Sequence, residues 1–267
     1  CSESHGTDAA APERQPEPVL EWLFQPTQMG LNGDRILRPG CARQRVVLYS
    51  EKVFQRGKGM EKKMIDQSCA DFTAALASKQ PVPGGGGAAA LTAALGTALC
   101  GMVGNFTIGK KKYAGVQDDI AFLLRQCGDL QQRMLALVDA DAQAFAPLAA
   151  GYAIPKGDPA RETVLETAAL NACQAPMEMV RCCAQSIELL ETMLQKGSRM
   201  LVSDVGCGAL LCGAAMESAA LNVYVNTASL SDRDAAVQME ETVDTLLREY
   251  LPRAEKIAQC VTDQIRK

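Results

Sequence analysis

From Met60 onward, apolar residues recur every three or four positions, and the alternation expected of β-strands is nearly absent. That rhythm predicts helices over about 62–79, 87–106, 115–150, 159–195, 201–227 and 233–266. Pro147 and Pro176 fall inside two of them and are expected to bend or interrupt the helix. The stretch GYAIPKGDPA (151–160) reads as a loop, with Asp158 as a cap and Pro159 at the first helical position. SLSDRDAA (229–236) reads as a second connection ending in a cap, and Ser203 or Asp204 as the N-cap of the helix it precedes. Connections this short make neighbouring helices antiparallel. The fold class expected is all-α: an antiparallel multi-helix bundle with a central buried Gly/Ala-rich helix, formed by residues 60–267.

Residues 1–59 break the pattern. They mix prolines and charges without a helical period, and they lack the basic-then-apolar order of a signal peptide. They read either as disordered or as translated upstream sequence. The run RGKGMEKKM suits a purine-rich stretch before a start codon, so Met60 is the expected natural start.

Composition narrows the chemistry. A net charge of -4 argues against a nucleic-acid footprint, which is normally basic. Eleven cysteines without C-x-x-C spacing read as reduced, mostly buried thiols of a cytoplasmic protein. His5 is the only histidine, so the body of the chain has no imidazole base, no His-based triad and no zinc site built on histidine. Acid–base work then falls to Asp, Glu, Lys, Tyr or Cys.

The stretch PVPGGGGAAALTAALG (81–96) invites three readings. Residues 84–109 carry no charge and are long enough to span a membrane, but Ala and Gly dominate, so a buried helix is expected and no membrane partner. GNFTIGKK (104–111) fits the glycine and lysine spacing of a nucleotide loop, yet no strand precedes it and Lys111 stands where Ser or Thr should hold magnesium. What remains is a glycine turn opening a helix. Gly84, Gly85 and Gly86 either present N–H groups to an anion or ligand carbonyl, or only permit a tight turn and close packing.

Two further stretches carry polar groups into apolar surroundings. Leu123, Cys127, Leu130, Met134, Val138 and Phe145 form one stripe. At about 100° per residue Asp141 falls inside that stripe and Asp139 on the opposite, solvent side. An interior carboxyl group has a raised pKa and suits proton transfer; the alternative is a structural hydrogen bond to a neighbouring helix. In SDVGCGALLCGAAMESAALNVYVN (203–226), Asp204, Gly208, Ala215, Ser218, Asn222 and Asn226 share a small, polar face. That face either lines a cleft or packs closely on another helix. Lys110, Lys111 and Lys112 form a short basic cluster, a solvated face or a greeting for a carboxylate-rich ligand.

Taken in order, PVPGGGGAAALTAALGTALCGMVGNFTIGKKKY, LVDADAQAF and SDVGCGALLCGAAMESAALNVYVN resemble the cyclodeaminase/cyclohydrolase family of folate enzymes. The resemblance covers Met60 to the C-terminus and includes no formiminotransferase domain. Gly87 departs from the family pattern, which more often has Ser after the third glycine; no hydroxyl acts there in this chain. The resemblance implies an all-α homodimer with the folate cleft near the subunit interface, a tetrahydrofolate derivative as substrate, and no metal or cofactor. It also implies that Asp141, the second acid of DAD, is the general acid/base. Gly84, Gly85, Gly86, Asn105, Lys110, Asp204, Asn222 and Asn226 are the expected substrate contacts, with Lys110–Lys112 toward a glutamate tail. Cyclodeamination of 5-formiminotetrahydrofolate is the reaction placed first, on the LVDADAQAF match. Cyclohydrolysis of 5,10-methenyltetrahydrofolate is the alternative, and a non-catalytic folate-binding module the alternative of another class.

Overall fold

The computed structural model describes residues 63–267. The expectations for residues 1–59, for His5 and for a start at Met60 lie outside the described residues. Among the described residues there are six α-helices and no strand: α1 Cys69–Leu76, α2 Gly85–Asn105, α3 Gln117–Tyr152, α4 Pro159–Lys196, α5 Val202–Thr227 and α6 Arg233–Ile265. Short 3-10 turns at Met64–Asp66, Lys111–Val116 and Arg199–Leu201 precede α1, α3 and α5.

The helix ends follow local chemistry. Asp158 caps α4 by accepting the Ala160 N–H at 2.9 Å, with Pro159 in the first turn. Asp232 caps α6 through the Ala235 N–H. The first helix is much shorter than the 62–79 expected. Ser68 accepts the Asp71 N–H and starts α1 late, and the residues before it turn as 3-10 instead. Neither Ser203 nor Asp204 caps α5. The Arg199–Leu201 turn runs straight into the helix, which places both residues in its first turn, where Asp204 faces the positive end of the helix dipole. Nor do the prolines interrupt their helices: α3 runs through Pro147 and α4 through Pro176.

Small residues set the packing. α2 lies against α3, α4 and α5, with Ala90, Ala93, Ala94 and Cys100 fully or almost fully buried. Where α2 crosses α5, a side-chain carbon at Gly96 would stand 2.9 Å from the Gly208 carbonyl, and one at Gly208 would stand 2.9 Å from the Gly96 carbonyl. Only glycine lets the two backbones come that close. Gly85 meets Asn222 while Gly96 meets Gly208, so α2 and α5 are antiparallel. The Gly/Ala-rich helix buries one face only. Leu95 on α2 and Leu210 and Leu221 on α5 stay 55%, 57% and 66% exposed. Both helices are long and apolar enough to cross a membrane by length and composition, and each buries about half of itself in the bundle. The described cysteines are all free thiols, and Cys100, Cys127, Cys173, Cys182, Cys183 and Cys212 are buried.

Candidate active site

The α3 stripe does what its period predicts. Leu123, Cys127, Leu130, Met134 and Val138 are buried, and three residues after Val138 the same face carries Asp141 inward. Burial pushes the Asp141 pKa above the ordinary carboxylate value; a hydrogen bond from the Gly87 backbone N–H pulls it partly back. Loss of hydration outweighs that single bond, so the group is poised to hold or release a proton nearer neutrality than an exposed aspartate.

The partner of Asp141 is the start of α2. Gly84 is the N-cap, in extended backbone, and has no side chain with which to cap. An N-cap side chain normally accepts the N–H of the second or third helical residue. Here the third residue is Gly87, and its N–H faces the Asp141 carboxylate of α3 closely enough to lower the pKa of that group. The carboxylate therefore sits at the positive end of the α2 dipole. Gly86 makes room for it: a β-carbon there would fall 2.2 Å from Asp141 Oδ1 and 2.5 Å from its Cγ. A β-carbon at Gly85 would meet the Asn222 amide at 3.6 and 3.7 Å, whereas one at Gly84 would meet nothing within 4 Å. Gly84, Gly85, Gly86, Asp141 and Asn222 are thus one cluster, open on the Gly84 side. At Gly87 a β-carbon would make only ordinary contacts, 3.5 Å from Pro83 and 3.7 Å from Val138, so the site has space for a side chain there.

The other expected contacts are elsewhere or occupied. Asn226 donates its amide N–H to the Ala172 carbonyl at 3.1 Å. Ala172 lies four residues before Pro176, whose ring nitrogen carries no hydrogen, so that carbonyl lacks its helical donor. Asn226 supplies the missing bond, a structural task that the sequence pattern did not reveal. Asn105 ends α2 and Lys110 lies just beyond it, at the far end of a helix that at about 1.5 Å per residue is some 30 Å long. Antiparallel pairing puts Asp204, in the first turn of α5, at that same far end. There Lys110 Nζ stands 5.7 Å from the centre of the Phe106 ring. Within one chain these three residues do not join the Asp141 cluster. Asp139 also differs from expectation. It is half-buried, and its Oδ1 accepts the Met64 N–H at 2.7 Å, because the Met64–Asp66 turn docks on that side of α3.

The fold is thus an all-α bundle that holds one carboxyl group of raised pKa against a glycine-opened helix. A family model described as formiminotransferase-cyclodeaminase matches residues 68–245. The chain belongs to that family. It is 37% identical over 198 residues to a methenyltetrahydrofolate cyclohydrolase of Methylorubrum extorquens, covering 73% of this chain and 95% of that protein. It is 27% identical over 222 residues to the formimidoyltransferase-cyclodeaminase of Rattus norvegicus, covering 82% of this chain but spanning only 40% of that longer protein. Among solved structures it resembles the formiminotetrahydrofolate cyclodeaminase of Thermotoga maritima, with a TM-score of 0.65 and 26% identity over 73% of this chain and 98% of that one.

Proposed function

We propose that this chain is a folate one-carbon enzyme that hydrolyses 5,10-methenyltetrahydrofolate to 10-formyltetrahydrofolate, with Asp141 as its general acid/base. The observation that carries the acid–base reading is the Asp141 carboxyl group, raised in pKa by burial and set against the bare N-terminus of α2. The choice of hydrolysis rests on the 37% identity to a cyclohydrolase covered almost end to end. In this reading ionised Asp141 accepts a proton from water as the oxygen adds to the cationic methenyl carbon. As the bond from that carbon to N5 breaks, Asp141 returns a proton to N5; one water is consumed and one proton released overall. The negative carboxylate also favours the cationic substrate electrostatically.

Cyclodeamination is the second reading, favoured by the match to a solved formiminotetrahydrofolate cyclodeaminase over 98% of that chain. There N10 attacks the formimino carbon on N5, Asp141 takes the N10 proton and protonates the departing nitrogen, and ammonia leaves. Neither reaction changes an oxidation state, so the proposal requires no redox cofactor. The ligand's polar edge is placed at Gly84–Gly86 and Asn222. The test supplies each folate separately to the purified protein and follows the methenyl absorbance. Faster loss from the methenyl substrate is the expected outcome. Gain from the formimino substrate alone supports the second reading, and no change with either rejects both.

The proposal extends to a cytoplasmic homodimer. α2 carries no charged residue, and between Asp204 and Thr227 α5 carries only Glu217, so the open face bearing Leu95, Leu210 and Leu221 is almost uncharged. A second copy of the chain is the occupant that covers such a face on every molecule at once. Light scattering should give a dimer mass, and Leu221→Glu should shift it to the monomer; a wild-type monomer at micromolar concentration would overturn this part.

A further inference from the structure

The two acids of the DAD run hold the two ends of a single chain segment. Oδ1 of Asp139 accepts the Met64 N–H at 2.7 Å, on one side of α3. Asp141, two residues on, packs its carboxylate against Gly86 on the inward side. Between those anchors the chain from Asp66 to Val82 has little hold on the bundle. α1 buries only Phe72, and Lys79, Gln80 and Pro81 are exposed before the chain turns in at Pro83. Met64 and Ile65 are only partly buried against the core, beside an open cavity of about 390 Å³ lined by Lys63, Ile65, Gln132, Leu135 and Asp139. The far end of this strap is the Gly84–Gly86 turn itself.

We propose that Asp139 is a positioning residue: by latching the Met64 end of the strap to the turn of α3 that carries Asp141, it fixes where Gly84–Gly86 stand against the catalytic carboxyl group. The oxygen acceptor is what the latch needs. A neutral amide oxygen at the same place still accepts the Met64 N–H, and a methyl group does not. The side chains at 139 and 141 therefore answer differently to the same change: Asn suffices at 139 and fails at 141.

The kinetic arm rests on the folate reading, and the proteolytic arm does not. Wild type, Asp139→Ala and Asp139→Asn are compared by trypsin cleavage after Lys79 and by steady-state kinetics on 5,10-methenyltetrahydrofolate. Asp139→Ala should be cleaved about tenfold faster and show KM raised about tenfold with kcat within about twofold, the scale of one lost hydrogen bond. Asp139→Asn should restore both toward wild type. Cleavage unchanged in Asp139→Ala overturns the latch, whatever the reaction proves to be. Faster cleavage with an unchanged KM overturns the positioning role, and so does an Asn variant as impaired as the Ala variant. If wild type turns over neither folate the functional reading fails, and the latch is then judged on cleavage alone.

Discussion

Asp141→Asn is expected to lower kcat by about two to four orders of magnitude, the usual worth of a positioned acid–base group. The same change should leave the fold intact and its stability undiminished. The sign follows from the direction of the pKa shift. Burial raises the Asp141 pKa in the folded chain above its value in the unfolded chain. Between those two values the folded state binds more protons, so stability falls as pH rises through the window. Above it the folded protein carries an unfavourable buried charge, offset in part by the Gly87 N–H. An amide of nearly the same shape bears no such charge. At neutral pH the variant should therefore melt at the wild-type temperature or above it. Thermal unfolding beside the rate assay separates lost chemistry from lost structure, and a large fall in melting temperature would show that Asp141 serves the fold.

Gly86→Ala is the second large effect. A β-carbon 2.2 Å from Asp141 Oδ1 leaves the carboxylate no choice but to move. Displacing a reacting group by about 1 Å can cost 10²-fold, so kcat/KM should fall by about that factor. Gly87→Ala, one residue on, meets Pro83 and Val138 at ordinary contact distances. It should keep activity and gain about 0.4–1 kcal/mol, because alanine loses less backbone freedom on folding. Of two neighbouring glycines, one should thus lose kcat/KM on substitution and the other keep it. Equal tolerance at both would mean that the turn does not abut the carboxyl group.

How much of this was legible beforehand depends on the question asked of each residue. Helical period was enough to turn Asp141 inward, because a stripe of buried residues fixes the direction of every side chain on α3. It was enough to place the other long helices to within two residues. It failed at the first helix, where Ser68 competes for the local N–H groups and the chain turns as 3-10 before it. Period gives a direction and never a partner. Asp139 points away from the stripe, as read, but a segment 75 residues earlier comes back to meet it. Asn226 lies on a polar face, as read, but its role follows from a proline on another helix that strips a donor from Ala172. The separation of Asp204 from the Asp141 cluster was within reach. Short connections make α2 and α5 antiparallel, and the start of one then meets the end of the other.

The central claim is that Asp141 is the proton carrier in folate chemistry at the glycine turn. It is tested most directly by the pH dependence of kcat on 5,10-methenyltetrahydrofolate, for wild type and Asp141→Asn side by side. The account predicts a wild-type rate that rises with pH as one group ionises, with its midpoint above the ordinary carboxylate range, and a slow variant from which that rise is missing. A variant that keeps both the rate and the same rise with pH would contradict it.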